Sequence, residues 1–407
     1  MSVHVAKRLD AIHEYYFSKK LREIDEMNKQ SEVKVINLGI GSPDLPPHPD
    51  VIRVLHESAL RPDTHAYQSY KGAPALRQAF AGWYQRSYDV TLNPDNEILP
   101  LIGSKEGIMH ISMTFLNDGD EVLVPNPGYP TYRSATTLAG GVCVDYDLKA
   151  GNRWLPDLDA LSKKDLSRVK LMWVNYPQMP TGATANESFF AELVDFAGKH
   201  HILICHDNPY GFILPAERSI DTEGKYHPLS LLKIEGAKEV ALELNSLSKS
   251  HNMAGWRIGV LAAKDEIIQE VLRFKSNMDS GMFLPLQLAA AKALQLDDQW
   301  YHDLNQVYKK RRNKVYEMLD LLDCRYEKDQ SGMFIWAKVP GNFRDGYDLS
   351  DEILYKSKVF ITPGGIFGSN GNNYIRVSLC RSEEMLVEAM ERIKKVIRHR
   401  PQAIGSL

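Results

Sequence analysis

The chain is short of the features that mark secreted, membrane-spanning or nucleic-acid-binding proteins. It has only four cysteines in 407 residues: Cys143, Cys205, Cys324 and Cys380. They are widely spaced and form no metal-binding pattern, which argues against a disulfide framework or a zinc site. Cys143 and Cys205 sit in apolar, strand-like runs, so reduced core thiols are expected and no metal is. No run of about 18 apolar residues occurs, as a membrane-spanning helix would need. The opening MSVHVAKRLDAIHEYYF lacks the apolar core of a signal peptide. A net charge of −3 gives no basic surface for nucleic acid or an anionic membrane. Repeats and low-complexity segments are also missing. These absences lead to the expectation of a cytoplasmic protein with neither nucleic-acid nor membrane partners.

What is present is ordinary globular material, 43% hydrophobic and 25% charged, enough for a large core and two or three domains. Residues 5–30 read as an amphipathic, charged helix or arm. INLGIGSPDLPPHP (36–49) breaks regular structure and reads as a loop crossing between units. From about 50 to 290, helical patterns alternate with short apolar strands. The strand candidates are Ile98–Ile102, Glu121–Pro125, Gly141–Tyr146, Leu171–Asn175, Ile202–Cys205, Val240–Leu244 and Trp256–Ala262. Helices such as Lys105–Leu116 and Ser188–Lys199 lie between most of them. This alternation predicts an α/β domain with a mostly parallel, seven-stranded sheet covered on both faces. Beyond Leu284 the pattern predicts a long helix over about 285–322. Strands at Gly332–Lys338, Val359–Thr362 and Tyr374–Ser378 follow, then a terminal helix from about 382 to 398. The division expected is an N-terminal arm shared with the small domain (1–48), a large domain (49–285) and a smaller α+β domain (286–407).

The stretch SLSKSHNMAGWRIG (246–259) carries the most chemistry. Lys249 is placed to form an imine with an aldehyde, while Ser246, Ser248 and Arg257 are placed to hold a phosphate. Pyridoxal 5′-phosphate (PLP) requires both. Ligands of open α/β sheets sit beyond the carboxyl ends of strands, and the other candidates fall at such ends. In GSKEG (103–107), Gly103 and Ser104 open a helix whose free amides suit a phosphate. In ILICHDNPY (202–210), Asp207 follows an apolar strand, where a carboxylate can keep a pyridine nitrogen protonated. Tyr210 can donate to the ring's 3′ oxygen. In PNPGYPTY (125–132), Tyr129 can lie against the ring face. Arg376 in NNYIRVSLC (372–380) is an arginine on an apolar strand, suited to gripping a carboxylate by two parallel hydrogen bonds. Each segment alone has a plainer structural reading, such as a helix cap, a turn tyrosine or an edge-strand arginine.

Together these motifs resemble the class I and II aminotransferases, the large fold-type-I PLP family, over roughly residues 30 to 395. The spacing from Asp207 to Lys249 resembles the family's own. The resemblance implies that Ser104 and Lys105 touch the PLP phosphate and that an aromatic ring at Tyr129 faces the cofactor. It further implies that Arg376 and the backbone of Gly41 bind the substrate α-carboxylate. YQSYKGAPALR (67–77) resembles a family signature in which Tyr67 reaches the phosphate of a neighbouring subunit, which implies a homodimer with shared sites. Tyr15 and Tyr16 belong to an arm that bears on side-chain selectivity. IGSKEGI, PNPGYPTY and PGGIFG look most like LL-diaminopimelate aminotransferases and their aspartate- and alanine-using relatives. That subgroup points to a donor with a distal polar or charged end, with Lys105 a candidate for its recognition.

One position departs from the family. NYPQMPTG (175–182) places Met179 where an asparagine usually donates to the cofactor's 3′ oxygen, and a thioether cannot donate. Asn175 and Gln178 are both open as substitutes. The activity expected is PLP-dependent transfer of an amino group from an L-amino acid to a 2-oxo acid, 2-oxoglutarate being the expected acceptor. A PLP carbon–sulfur lyase or other elimination enzyme on the same fold is the alternative. A non-catalytic PLP-binding regulator is the reading from another class. It is disfavoured because the chain has no spare DNA-binding module.

Overall fold

The computed structural model describes residues 3–12, 14–214 and 228–397. The final position of the expected terminal helix, 398, lies outside these residues. Seven strands form the central sheet in the spatial order Ile98–Leu101, Gly259–Ala262, Ala241–Ser246, Leu203–Asp207, Val169–Val174, Glu121–Asn126, Val142–Asp147. Gly259–Ala262 runs antiparallel to both neighbours, and the remaining pairs are parallel. Central strands such as Ala241–Ser246 are buried at every position, as helices on both faces require. Val142–Asp147 at the edge is largely exposed, with only Tyr146 buried.

The predicted strands recur with small shifts at their ends, with one instructive change. The expected strand Trp256–Ala262 begins only at Gly259. Ala254–Trp256 forms a 3₁₀ turn, and Arg257 sits in the left-handed region at φ 58°. A non-glycine residue there carries local strain.

Beyond the large sheet, the single long helix expected over 285–322 is two helices, Leu284–Ala293 and Asp298–Leu321. The first packs on Pro49–Ala59 and Pro74–Tyr88, the second on Glu383–Ile397. The break lets two consecutive segments pack against different helices. A four-stranded antiparallel sheet follows, ordered Thr362–Pro363, Tyr374–Ser378, Phe334–Lys338, Arg325–Tyr326. The strand expected over Val359–Thr362 divides, because Val359–Phe360 pairs instead with Ile36–Asn37 in a separate parallel ladder. That ladder ties the N-terminal segment to the C-terminal sheet. The arm is less helical than the pattern suggested: Lys7–Leu9 is a short 3₁₀ turn and the α-helix spans Tyr16–Lys29.

Among the described residues no helix is long and apolar enough to cross a membrane. The four cysteines are free thiols; Cys143 is half-buried and the others are buried.

Candidate active site

The parallel strands deliver their last residues to one rim. Asp207 ends Leu203–Asp207, Ser246 ends Ala241–Ser246, and Gly103 follows Ile98–Leu101. Asp207, Ser246 and Ser104, which follows Gly103, border a cavity of about 430 Å³, closed on its far side by the Tyr16–Lys29 helix and the C-terminal sheet. Lys249, Ser104, Lys105, Tyr129, Asp207, Tyr210, Ser246, Ser248, Arg257, Gly41, Arg376 and Tyr15 all line it. Tyr67 does not; its side chain is 91% exposed on the surface. A larger cavity of about 920 Å³, lined by Trp154 and Trp336 among others, contains none of these residues.

Lys249 donates from Nζ to the Gly41 carbonyl at 2.6 Å. Burial lowers its pKa below the ordinary lysine value, and the charges of Arg376 and Arg257 act in the same direction. Gly41 must be glycine, because a Cβ there would lie 2.1 Å from Phe334 Cζ.

At the phosphate-suited end, the helix Ser104–Phe115 starts without a side-chain cap, leaving its first amides free. Arg257 donates from Nη1 to Ser248 Oγ at 3.4 Å and to the Ala254 carbonyl at 3.0 Å. No carboxylate pairs with it among the described residues. A Cβ on Gly103 would lie 2.2 Å from Arg257 Nη2, so this glycine is what admits the guanidinium to the helix start. Ser246 Oγ accepts from the Ser248 amide at 3.1 Å, which orients the turn.

Asp207 is 5% exposed, and burial raises its pKa to about 6 against the opposing effect of a Tyr132 hydrogen bond. Tyr132 donates to Oδ2 at 2.8 Å, while Oδ1 is buried with no partner. Tyr132 is itself stacked on Trp173 at 4.9 Å and meets Tyr129 edge-on at 5.6 Å. It was not singled out from sequence, although it falls three residues after Tyr129 in the same motif.

Arg376 is 4% exposed and has no carboxylate partner among the described residues. Nη2 donates to the Gly39 carbonyl at 2.7 Å, Nη1 approaches Met179 Sδ at 3.1 Å, and Nε has no partner. Its Cζ lies 3.8 Å from the Phe334 ring centroid, 4.6 Å from Phe367 and 5.6 Å from Phe17. Burial lowers its pKa to about 10, which leaves it charged at neutral pH. A buried cation so poorly paired is a receptor for an anion.

The substitutes considered for Met179 are largely committed. Asn175 donates to the Asp207 carbonyl at 2.6 Å and accepts from the Met179 amide at 2.7 Å. Gln178 donates to the Pro127 carbonyl at 3.0 Å, accepts from Thr181 and does not line the cavity. Elsewhere Glu106, His110 and Asp279 converge, but the buried Lys275 ammonium already pairs with Asp279 there.

These residues fit PLP. The unpartnered Asp207 Oδ1 matches a ring N–H, the uncapped helix with Arg257 matches a phosphate, and Lys249 is an amine held between them. The fold and cavity define a PLP-dependent enzyme of fold type I. The profile of the family Aminotransferase class I and II matches residues 33–393, so the chain belongs to that family. It is a PLP-dependent aminotransferase, acting on an amino acid and a 2-oxo acid. The chain is 40% identical over 389 residues to an LL-diaminopimelate aminotransferase of Dehalococcoides mccartyi, covering 96% of this chain and 98% of the relative. It is 41% identical over 394 residues to that of Desulforudis audaxviator, with 97% and 98% covered. Among solved structures, substrate-bound BacF from Bacillus subtilis superposes with a TM-score of 0.89 at 37% identity, covering 97% of this chain and 98% of that one. An aminotransferase from Staphylococcus aureus gives 0.85 at 30%, with 97% and 99% covered.

Proposed function

We propose that Lys249 is the residue that would hold PLP through its aldehyde carbon, would be released when the amino group of an incoming L-amino acid takes its place on that carbon, and would then, as a free amine, carry the proton in the transfer of the amino group to 2-oxoglutarate. The observation that carries this reading is the half-buried Lys249 amine, held on Gly41 and lowered in pKa. A lowered pKa favours the neutral amine, the form that acts as nucleophile and base. When bound, PLP supplies an electron-withdrawing ring that makes the amino acid's α proton removable. Arg376 would take the α-carboxylate beside the Gly41 backbone, with Tyr15 closing that side. Lys249 Nζ, released as a free amine, would take the α proton and return it during the transfer. Asp207 Oδ1 would accept from the ring nitrogen while Tyr132 fixes Oδ2. Tyr210 would donate to the 3′ oxygen and Tyr129 would cover the ring. Ser104, Lys105, Ser246, Ser248 and Arg257 would take the phosphate.

The same proposal includes a homodimer with shared sites and residence in the cytoplasm. Tyr67 is exposed, and so are Tyr70, Met278 and Phe283, an apolar group suited to covering by a second copy. His65 contacts Phe283 at 5.8 Å, which places the two segments side by side. The free thiols are compatible with a reducing compartment.

The relatives are named for LL-diaminopimelate, which is therefore one donor to test. Incubation of the cofactor-loaded protein with amino donors and 2-oxoglutarate should yield glutamate and a 2-oxo acid in equal amounts. Release of pyruvate and ammonia with no acceptor present would favour the elimination reading instead.

A further inference from the structure

The strand that ends in Asp207 carries a second ionisable side chain beneath the cavity. His206 precedes Asp207 and faces the opposite side of the sheet, as alternate strand residues do. It stands in register with Glu243 on one neighbouring strand and with Val174 on the other. Phe190 meets its ring edge-on at 5.1 Å. Neither His206 nor Glu243 exposes any surface within the single chain, so a second copy cannot reach them.

The hydrogen bonds fix the charge of both groups. His206 Nε2 lies 3.1 Å from the Tyr176 carbonyl, and Nδ1 lies 2.8 Å from Glu243 Oε2. A carbonyl can only accept, so Nε2 carries a proton. Glu243 Oε2 receives the Leu231 amide at 3.1 Å and the Ser230 hydroxyl at 2.9 Å, while Oε1 receives the Tyr84 hydroxyl at 2.9 Å. Ser230 Oγ accepts from the Leu232 amide, which leaves its proton for Glu243. Three donors on one carboxyl group hold it ionised. Nδ1 therefore faces an anion and carries a proton as well. The pair is an imidazolium against a carboxylate.

Stability does not account for such a pair. Apolar side chains of similar volume in place of a buried ion pair often leave a protein equally stable or more so. What the pair does fix is position. Glu243 lies on the strand that leads to Ser246 and Lys249, and Tyr176 opens the loop that carries Met179. Asn175, beside Tyr176, holds the Asp207 carbonyl at 2.6 Å. The chain at Asp207 is thus clamped from both neighbouring strands. Charge acts there too. Burial raises the Asp207 pKa most; the Tyr132 hydrogen bond and then the His206 charge oppose it, and Glu243 adds a smaller rise.

We infer that His206 and Glu243 form a permanent buried ion pair that positions Asp207 and, through it, the ring nitrogen of PLP. His206 is a positioning residue, since it acts on the cofactor only through Asp207. The inference rests on Asp207 as the partner of that nitrogen, as proposed above.

The test is nitrogen NMR of the cofactor-loaded enzyme at neutral pH, with isotope-labelled histidine in one sample and PLP labelled at the pyridine nitrogen in another. His206 is assigned by the signals lost in His206→Gln. Both of its ring nitrogens should carry protons, and one bare nitrogen would overturn the ion pair. Glu243→Gln keeps the shape and removes the charge. In that variant His206 should hold a single proton, the pyridine signal should move, and the Kd for PLP should rise roughly tenfold. A role confined to stability would lower the Tm and leave the pyridine signal and the Kd unchanged, which would overturn the positioning role. Should Glu243→Gln not fold, Tyr84→Phe removes one donor from the same carboxylate. It should move the pyridine signal in the same direction by less, and an unmoved signal there would overturn the positioning role equally. A pyridine nitrogen without a proton in the unaltered enzyme would instead overturn Asp207 as its partner, and with it the reading on which this inference rests.

Discussion

Met179 Sδ lies 3.1 Å from Nη1 of Arg376, so a thioether faces the one buried guanidinium of the cavity. Sulfur is a weak acceptor and no donor. Where the family resemblance leads to the expectation of an asparagine, Met179 provides neither a firm partner for Arg376 nor a second donor to the cofactor's 3′ oxygen. Tyr210 would then be the main donor to that oxygen. One such hydrogen bond contributes about 1 kcal/mol net, more when one partner is charged. The absorbance titration of the loaded enzyme should therefore have a higher midpoint than in Met179→Asn, by under ~1 pKa unit. Equal midpoints would mean that the second N–H of Asn175 already makes up the difference.

Asp207 gives a pH dependence with a definite sign. Burial raises its pKa to about 6 from 3.8, so the folded, cofactor-free chain holds this proton more tightly than the unfolded chain. Its contribution to stability is full below the unfolded value and is lost as pH rises through about 6. Asp207→Asn cannot ionise and should raise the Tm of cofactor-free protein more near pH 8 than near pH 4.5. The difference should be at most about 3 kcal/mol. In the loaded enzyme the order should reverse, because the ring nitrogen loses its anionic partner. Equal Tm shifts at the two pH values would contradict the burial argument.

Tyr132 should act through Asp207. Its hydroxyl is the only side-chain donor to that carboxylate among the described hydrogen bonds, at 2.8 Å. Hydrogen bonds to charged groups contribute about 1.5–3 kcal/mol. Tyr132→Phe should raise the Kd for PLP by roughly tenfold or more, and a spectral titration of the reconstituted protein would measure it. An unchanged Kd would show that Trp173 and the strand alone position Asp207.

The polar half of this site was legible in the sequence because its signals are local. Lys249, Arg257 and the serines share one loop, and Asp207 and Ser104 stand at strand ends that short apolar runs announce. Apolar residues carry no such mark. Phe17, Phe334 and Phe367 read as ordinary core, and only the packing of the Tyr16–Lys29 helix and the C-terminal sheet turns them toward Arg376. The break at 294–297 was hidden for a related reason. Apolar periodicity continues across it, and what separates the two helices is the pair of surfaces they pack against.

Tyr67 carries the assembly prediction. At 91% exposure its ring lies on the surface, placed to meet a second copy. Sedimentation of the loaded enzyme should give a dimer or larger. The inactive variants Lys249→Ala and Tyr67→Phe, refolded together, should regain part of the activity, since mixed dimers can rebuild one site. A fully active monomer would exclude shared sites.

The central claim is that Lys249 is the residue PLP bonds to. Borohydride treatment of the yellow, loaded enzyme should abolish its visible band and fix the cofactor to the chain. Peptide mass spectrometry should then place the reduced pyridoxyl group on Lys249 alone, and Lys249→Ala should carry none. A pyridoxyl group on Lys105 or any other lysine, or an unmodified Lys249 in the reduced enzyme, would contradict the account.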